Sequence, residues 1–189
     1  MELNEDVTPC ISPVNDTDER EARNKRWLVA ETCMHHEKKV RELLTKMGIE
    51  CFVPSQFFVR QWKYRKSKIE QLLIPMKVFV HVEERERLKV LNLHLVTRFM
   101  REWKKTTPVV IPDDQMSRFM FMLHSAENPV HFFESPLEPG VRVRVVRGPL
   151  QGLEGDFISM GGHSKISVGM DVLGYICVEI PMEDVEEVR

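Results

Sequence analysis

The chain has little cysteine: four residues in 189 (Cys10, Cys33, Cys51 and Cys177), far apart and with no C-x-x-C pair. That spacing excludes a dense disulfide framework and a zinc ribbon, and fits reduced structural thiols. With only 9 glycines and 11 prolines, the chain is neither collagen-like nor low-complexity. It has no apolar run near the roughly 18 residues that a membrane-spanning helix needs. Its first 24 residues are acidic where a secretory signal would be basic and then apolar, so the expected address is the cytoplasm, with no membrane partner. Catalytic signatures are missing too: there is no G-x-S-x-G, phosphate loop or H-E-x-x-H. Cys33 beside His35 or His36 lacks the third group that orients a nucleophile and its base, and the two histidines lack a third ligand at zinc spacing. The expectation is a protein that is not an enzyme and takes neither cofactor nor metal.

What is present describes a folded chain: 42 % hydrophobic and 30 % charged residues. The formal net charge of −2 conceals three blocks. Residues 1–24 carry 7 acidic groups against 2 basic, residues 25–124 carry 20 basic against 11 acidic, and residues 125–189 carry 11 acidic against 5 basic. A basic middle between acidic flanks points to a polyanion or an acidic protein surface as its partner. The bland alternative is a set of solvated helix faces.

The pattern divides the chain into a flexible acidic tail (1–24), an α+β unit (25–124), a Pro-containing linker (125–139) and a β-rich unit (140–189). In the first unit Arg26–Thr32 reads as a strand. Val40, Leu43, Leu44 and Met47 fall on one helical face, and Gly48 stands where a left-handed residue would stop that helix. Ile49–Pro54 reads as a strand leading to Phe57–Val59, followed by a hairpin with a charged tip and the strand Val78–Val82. Leu88–Met100 reads as helix passing into strand and Pro108–Pro112 as an edge segment. Asp113 or Asp114 is expected to cap a helix whose Met116, Phe119, Met120 and Leu123 share a face. The second unit packs five short strands into about 50 residues, which predicts a small closed barrel.

Several of these segments resemble the NusG family of transcription elongation factors. In the first unit they are Arg26-Trp27-Leu28-Val29, the helix carrying Glu37-Lys38-Lys39-Val40, Gly48–Pro54 and Ile74-Pro75-Met76-Lys77-Val78-Phe79-Val80. Val143–Gly155 resembles the KOW motif found at that family's carboxyl end. The resemblance spans about residues 25–188 and implies a NusG-type amino-terminal domain, an antiparallel sheet with flanking helices, followed by an SH3-like KOW β-barrel. Arg60-Gln61-Trp62 with Arg65, Lys66 and Lys68 further resembles the UpxY-type specialised paralogues, antiterminators of capsular polysaccharide operons.

The resemblance implies a monomer that docks on the clamp helices of RNA polymerase and suppresses pausing or termination. Phe79 matches the family's aromatic contact and Pro75 its motif, while Lys77 departs from the usual Tyr, with Phe99, Met100 or Trp103 expected to compensate. Phe79 could equally be a core residue, because strand alternation alone does not separate the two. For nucleic acid, namely non-template DNA or a leader element, the candidates are Arg60, Lys63, Arg65, Lys66 and Lys68 as phosphate partners and Trp62 and Tyr64 as stacking groups. His35, His36 and Lys39 at the first helix form a second candidate. Leu150, Leu153 and Leu173 would meet a protein partner, a ribosomal protein or Rho, through the KOW unit; as core residues they would not. The competing reading is an RNA- or ribosome-binding KOW scaffold that does not act on polymerase.

Overall fold

The structure, a computed structural model, describes residues 24–61, 66–134, 140–170 and 173–188. Its first half is a sheet with helices on both faces. Strands β1 (Arg26–Thr32), β2 (Glu50–Phe52), β5 (Lys77–Val82) and β6 (Val96–Phe99) lie in the order β2-β5-β1-β6, and β7 (Val110–Ile111) also pairs with β1. All these pairings are antiparallel. Helices α1 (Glu37–Lys46), α2 (Glu84–Leu91) and α3 (Asp113–Ser125) complete this half, and β3 (Ser55–Gln61) with β4 (Lys66–Leu72) forms a separate hairpin.

Period-two alternation sorts the sheet's side chains between its two faces. Leu28, Ala30, Val78, Val80 and Val82 join one core with Val40 and Leu44 of α1 and Val90 of α2. Trp27, Val29 and Phe79 join the other, with Met116, Phe119, Met122 and Leu123 of α3. Because both faces are covered, β1 is buried from Trp27 to Ala30 instead of alternating with solvent.

Local signals set the helix ends. Gly48 follows α1 with φ +71°, the left-handed conformation expected at that position. α2 starts at Glu84, earlier than its apolar residues suggest, because Glu83 and Glu86 close a reciprocal capping box. Neither aspartate caps α3. Pro112 occupies the cap, and Asp113 and Asp114 lie in the first turn, where their charge complements the helix dipole.

The second half is a six-stranded antiparallel sheet in the order β13-β9-β10-β11-β12-β8. Its strands are β8 (Val130–Phe133), β9 (Val141–Val145), β10 (Glu154–Met160), β11 (His163–Met170), β12 (Gly174–Glu179) and β13 (Val185–Glu187). The expected closure into a barrel is not seen in the pairings: among the described residues none joins β8 to β13. Those edge strands have only four and three residues, and short edges limit the exposed hydrogen-bonding groups that closure would otherwise remove.

The stretch expected as a linker carries regular structure. Val130–Phe133 is a strand that pairs with β12, and the Val130 N–H donates to Gln56 Oε1 of β3 at 2.9 Å. The two halves also share an interior, since one apolar cluster runs from Phe79 and Phe119 to Val168, Met170 and Ile176, with α3 packed against β11.

Candidate functional site

The residues expected to meet polymerase do not gather on one surface hollow. Phe79 is fully buried and meets two aromatic neighbours: Phe119, 5.6 Å away between ring centres, and Phe52, 6.3 Å away. Phe52 and Phe119 are themselves 5.6 Å apart and near-perpendicular, edge-to-face geometry that favours a packed core. In this conformation Phe79 is therefore a core residue, one of the two alternatives its strand position left open. Phe99 is buried too, on the opposite face of the sheet, whereas Met100 packs partly against the Phe79 side. Pro75 is exposed, and Trp103, 86 % exposed, stands out in solvent.

The turn that presents Pro75 is held from below. Glu37, at the first position of α1 and 2 % exposed, accepts the Met76 N–H at 2.7 Å, and the Thr32 N–H donates to the Met76 carbonyl at 2.9 Å. These bonds fix Met76 with φ +61° and leave its side chain 39 % exposed. Lys77 turns instead to Glu31, its Nζ 3.6 Å from the carboxylate. Burial alone would push the Glu31 carboxyl up, but the Arg98 hydrogen bond, with Lys77, brings it below the usual carboxylate range.

The candidate nucleic-acid residues lie on two segments, the hairpin and the start of α1. Trp62, Lys63, Tyr64 and Arg65 lie outside the described residues. Arg60, Lys66 and Lys68 lie on the hairpin strands, in register with Ser67, Gln61 and Val59. His35, exposed and at φ +62°, and His36, whose Nδ1 lies 2.8 Å from the Met34 carbonyl, form the turn into α1. Lys39 is exposed one turn further on.

Glu70 of β4 ties these two segments together. Its carboxylate receives Lys38 Nζ of α1 at 2.6 Å, Arg41 at 3.5 Å and the Ser55 hydroxyl at 2.8 Å. No motif picks out this carboxylate, because its partners are 15 to 32 positions away. It lines a cleft of about 530 Å³ between α1, the hairpin base and the end of α3, with Phe57 and His124 also on the wall. The Lys38 hydrogen bond, outweighing burial and helped by Ser55, holds the Glu70 carboxyl below the usual range. A carboxyl depressed by folding stabilises the fold above its unfolded-state pKa and loses that contribution as pH falls through the folded value. Glu70→Gln is accordingly expected to melt below the unaltered chain at neutral pH and to converge with it in acid. Parallel thermal melts against pH check this, and a constant gap down to the lowest pH would refute the clamp.

In the second half Leu150, Leu153 and Leu173 are 6 %, 2 % and 6 % exposed and belong to the shared core. In this conformation they contribute to the interior, the alternative to a partner surface. Cys33, Cys51 and Cys177 are free, and burial pushes the Cys51 and Cys177 thiols up, away from thiolate reactivity. Among the described residues no cluster of three His, Cys, Asp or Glu side chains is placed to hold a metal ion. No helix among them is long and apolar enough to cross a membrane.

Comparisons with known proteins bear on the family of the chain. The chain is 27 % identical over 176 residues to the transcription termination/antitermination protein NusG of Helicobacter pylori strain J99, covering 86 % of this chain and 98 % of that one. The NusG of strain 26695 is 27 % identical over 161 residues, 78 % of this chain and 89 % of its own. Among solved structures, "Domain interaction in Thermotoga maritima NusG" aligns with 89 % of this chain and 99 % of its own at 20 % identity and a TM-score of 0.47. The first conformation of an MjSpt4:Spt5 complex aligns over 86 % and 97 % at 15 % identity and 0.29. Both superpositions are too loose to bear on the assignment. Residues 25–120, just over half of the chain, match the family model described as transcription termination factor nusG. On that match, the chain belongs to the NusG family, whose members are non-catalytic.

Proposed function

We propose that the chain is a specialised transcription elongation factor that binds RNA polymerase at the clamp helices and promotes processive, antiterminated transcription. The observation that carries this reading is the family match over residues 25–120, the stretch that contains the basic block. The Glu70 clamp adds a physical basis for nucleic-acid contact, since it joins the basic hairpin to the start of α1 on one side of the fold. Non-template DNA or a leader element is the proposed polyanion, met by Arg60, Lys66, Lys68, His35, His36 and Lys39 together with Trp62, Lys63, Tyr64 and Arg65. The UpxY-like stretch Arg60-Gln61-Trp62 supports long operons, such as capsular polysaccharide loci, as the targets. The working units are proposed as residues 25–124 and 140–189.

Polymerase contact is proposed at the Pro75–Met76 turn and Lys77, the accessible part of the family-like segment, and separately at the half-buried Met100. Met76→Asn tests it without breaking the fold, since asparagine tolerates φ > 0 and removes the exposed thioether. The full chain should co-migrate with core polymerase and with an isolated clamp-helix fragment, and it should raise read-through on a long template in vitro. The variant should lose most of that co-migration and keep its melting temperature. Retention only by ribosomes or free RNA would replace this reading with a scaffold.

A further inference from the structure

Trp103 is the most exposed of the large apolar side chains among the described residues, at 86 %. It projects from the connection between β6 and β7, which leaves the sheet edge beside β1. The connection is closed at its base and ordered within. Arg101 and Pro108 form a bridge, the Met100 N–H donates to the Val29 carbonyl at 2.8 Å, and the Val109 N–H donates to the Met100 carbonyl at 2.9 Å. Nearer the tip, the Lys105 N–H donates to the Glu102 carbonyl at 3.0 Å, and the two side chains form an ion pair. Lys104 takes φ +64°, a conformation a lysine adopts only when the turn demands it. The result is a short fixed loop that shows solvent one indole together with the cations Arg101, Lys104 and Lys105.

We propose that residues 101–108 form a single-strand nucleic-acid site, with Trp103 as the stacking platform for one unpaired base and Arg101 and Lys104 as partners of the flanking phosphates. Two observations favour this occupant over a protein surface. Along the loop Trp103 has no apolar neighbour: Glu102, Lys104, Lys105, Thr106 and Thr107 are all polar and exposed, whereas protein hot spots sit in apolar, lysine-poor surroundings. An isolated flat ring flanked by cations is the combination that reads single strands without regard to sequence. The inference rests on the proposed function only for where such a strand is met, since the binding step needs no polymerase. It moves Trp103 from the polymerase contacts to the nucleic acid.

The test is anisotropy of a labelled 12-nucleotide oligothymidylate titrated with the full chain at low salt. Trp103→Ala should weaken binding about tenfold, within the range of one stacked base, and Trp103→Phe should restore most of it. Lys104→Gln should reduce the slope of log affinity against log salt by about 0.7, one phosphate's share for a single strand. Unchanged affinity in Trp103→Ala overturns the proposal, as does equal binding of a duplex of the same length or no binding by the unaltered chain. Displacement by a polyglutamate peptide that depends on Trp103 would assign the loop to an acidic protein instead. Because Trp103→Ala should still co-migrate with polymerase, loss of co-migration with oligonucleotide binding intact would return Trp103 to the polymerase surface. Failure of polymerase binding by the unaltered chain would count against the proposed function alone.

Discussion

Phe119→Ala is expected to lower the stability of the whole chain by about 3–5 kcal/mol, the range for removing a fully buried aromatic ring. Phe119 contributes to an edge-to-face trio with Phe52 and Phe79 and is completely buried. It lies in the cluster that both halves share, so the cavity would open in that core, between the sheet and α3. Urea unfolding followed by circular dichroism measures the loss. Phe119→Leu, which fills part of the space, should recover more than half, and a loss below about 1 kcal/mol would show that the site collapses around the gap. The same burial governs how Phe79 can be probed. Phe79→Arg would place an unpaired charge in that interior and unfold the chain, so lost polymerase binding would say nothing about docking. The exposed Met76 turn is the cleaner probe.

Gly174→Ala is the second large effect. Gly174 has φ +136°, and a Cβ there would lie 2.2 Å from the Phe133 carbonyl oxygen and 3.0 Å from Glu134 Cα. Backbone strain of about 1–3 kcal/mol and overpacking of similar size fall on one substitution. The expected outcome is loss of the pairing between β12 and β8, visible as faster amide hydrogen exchange at His131 and Cys177, which face each other across that pair. Gly48→Ala provides the contrast: its φ of +71° costs strain, but nothing lies within 4 Å of the added carbon. It should therefore destabilise by only about 1 kcal/mol. Equal losses in the two variants would mean that the close approach at Gly174 is relieved by a backbone shift.

Local pattern made some of this architecture legible and non-local contact hid the rest. The run Trp27–Ala30, the helical spacing of Val40 and Leu44 and the glycine after α1 each carry their own signal, and the elements fall where those signals put them. β8 was not legible, because Val130-His131-Phe132-Phe133 sits among prolines and becomes a strand only through β12 and Gln56. α2 begins early because a Glu83–Glu86 capping box is chemically sound yet lacks the usual Ser, Thr, Asp or Asn. At the site, alternation placed Phe79 on a defined face of the sheet but could not say what covers that face. α3 covers it, through Phe119, forty positions further on. Glu70 was invisible for the same reason, since its value lies in partners on α1.

The common interior of the two halves sets terms for any ligand that seeks the side of α3 facing β11. Such a ligand competes with a neighbour on the same chain, which dilution does not remove. Its apparent affinity is its intrinsic affinity multiplied by the fraction of molecules in which the halves have parted. Any agent that captures the freed second half raises that fraction, and so strengthens the first encounter without touching its contacts.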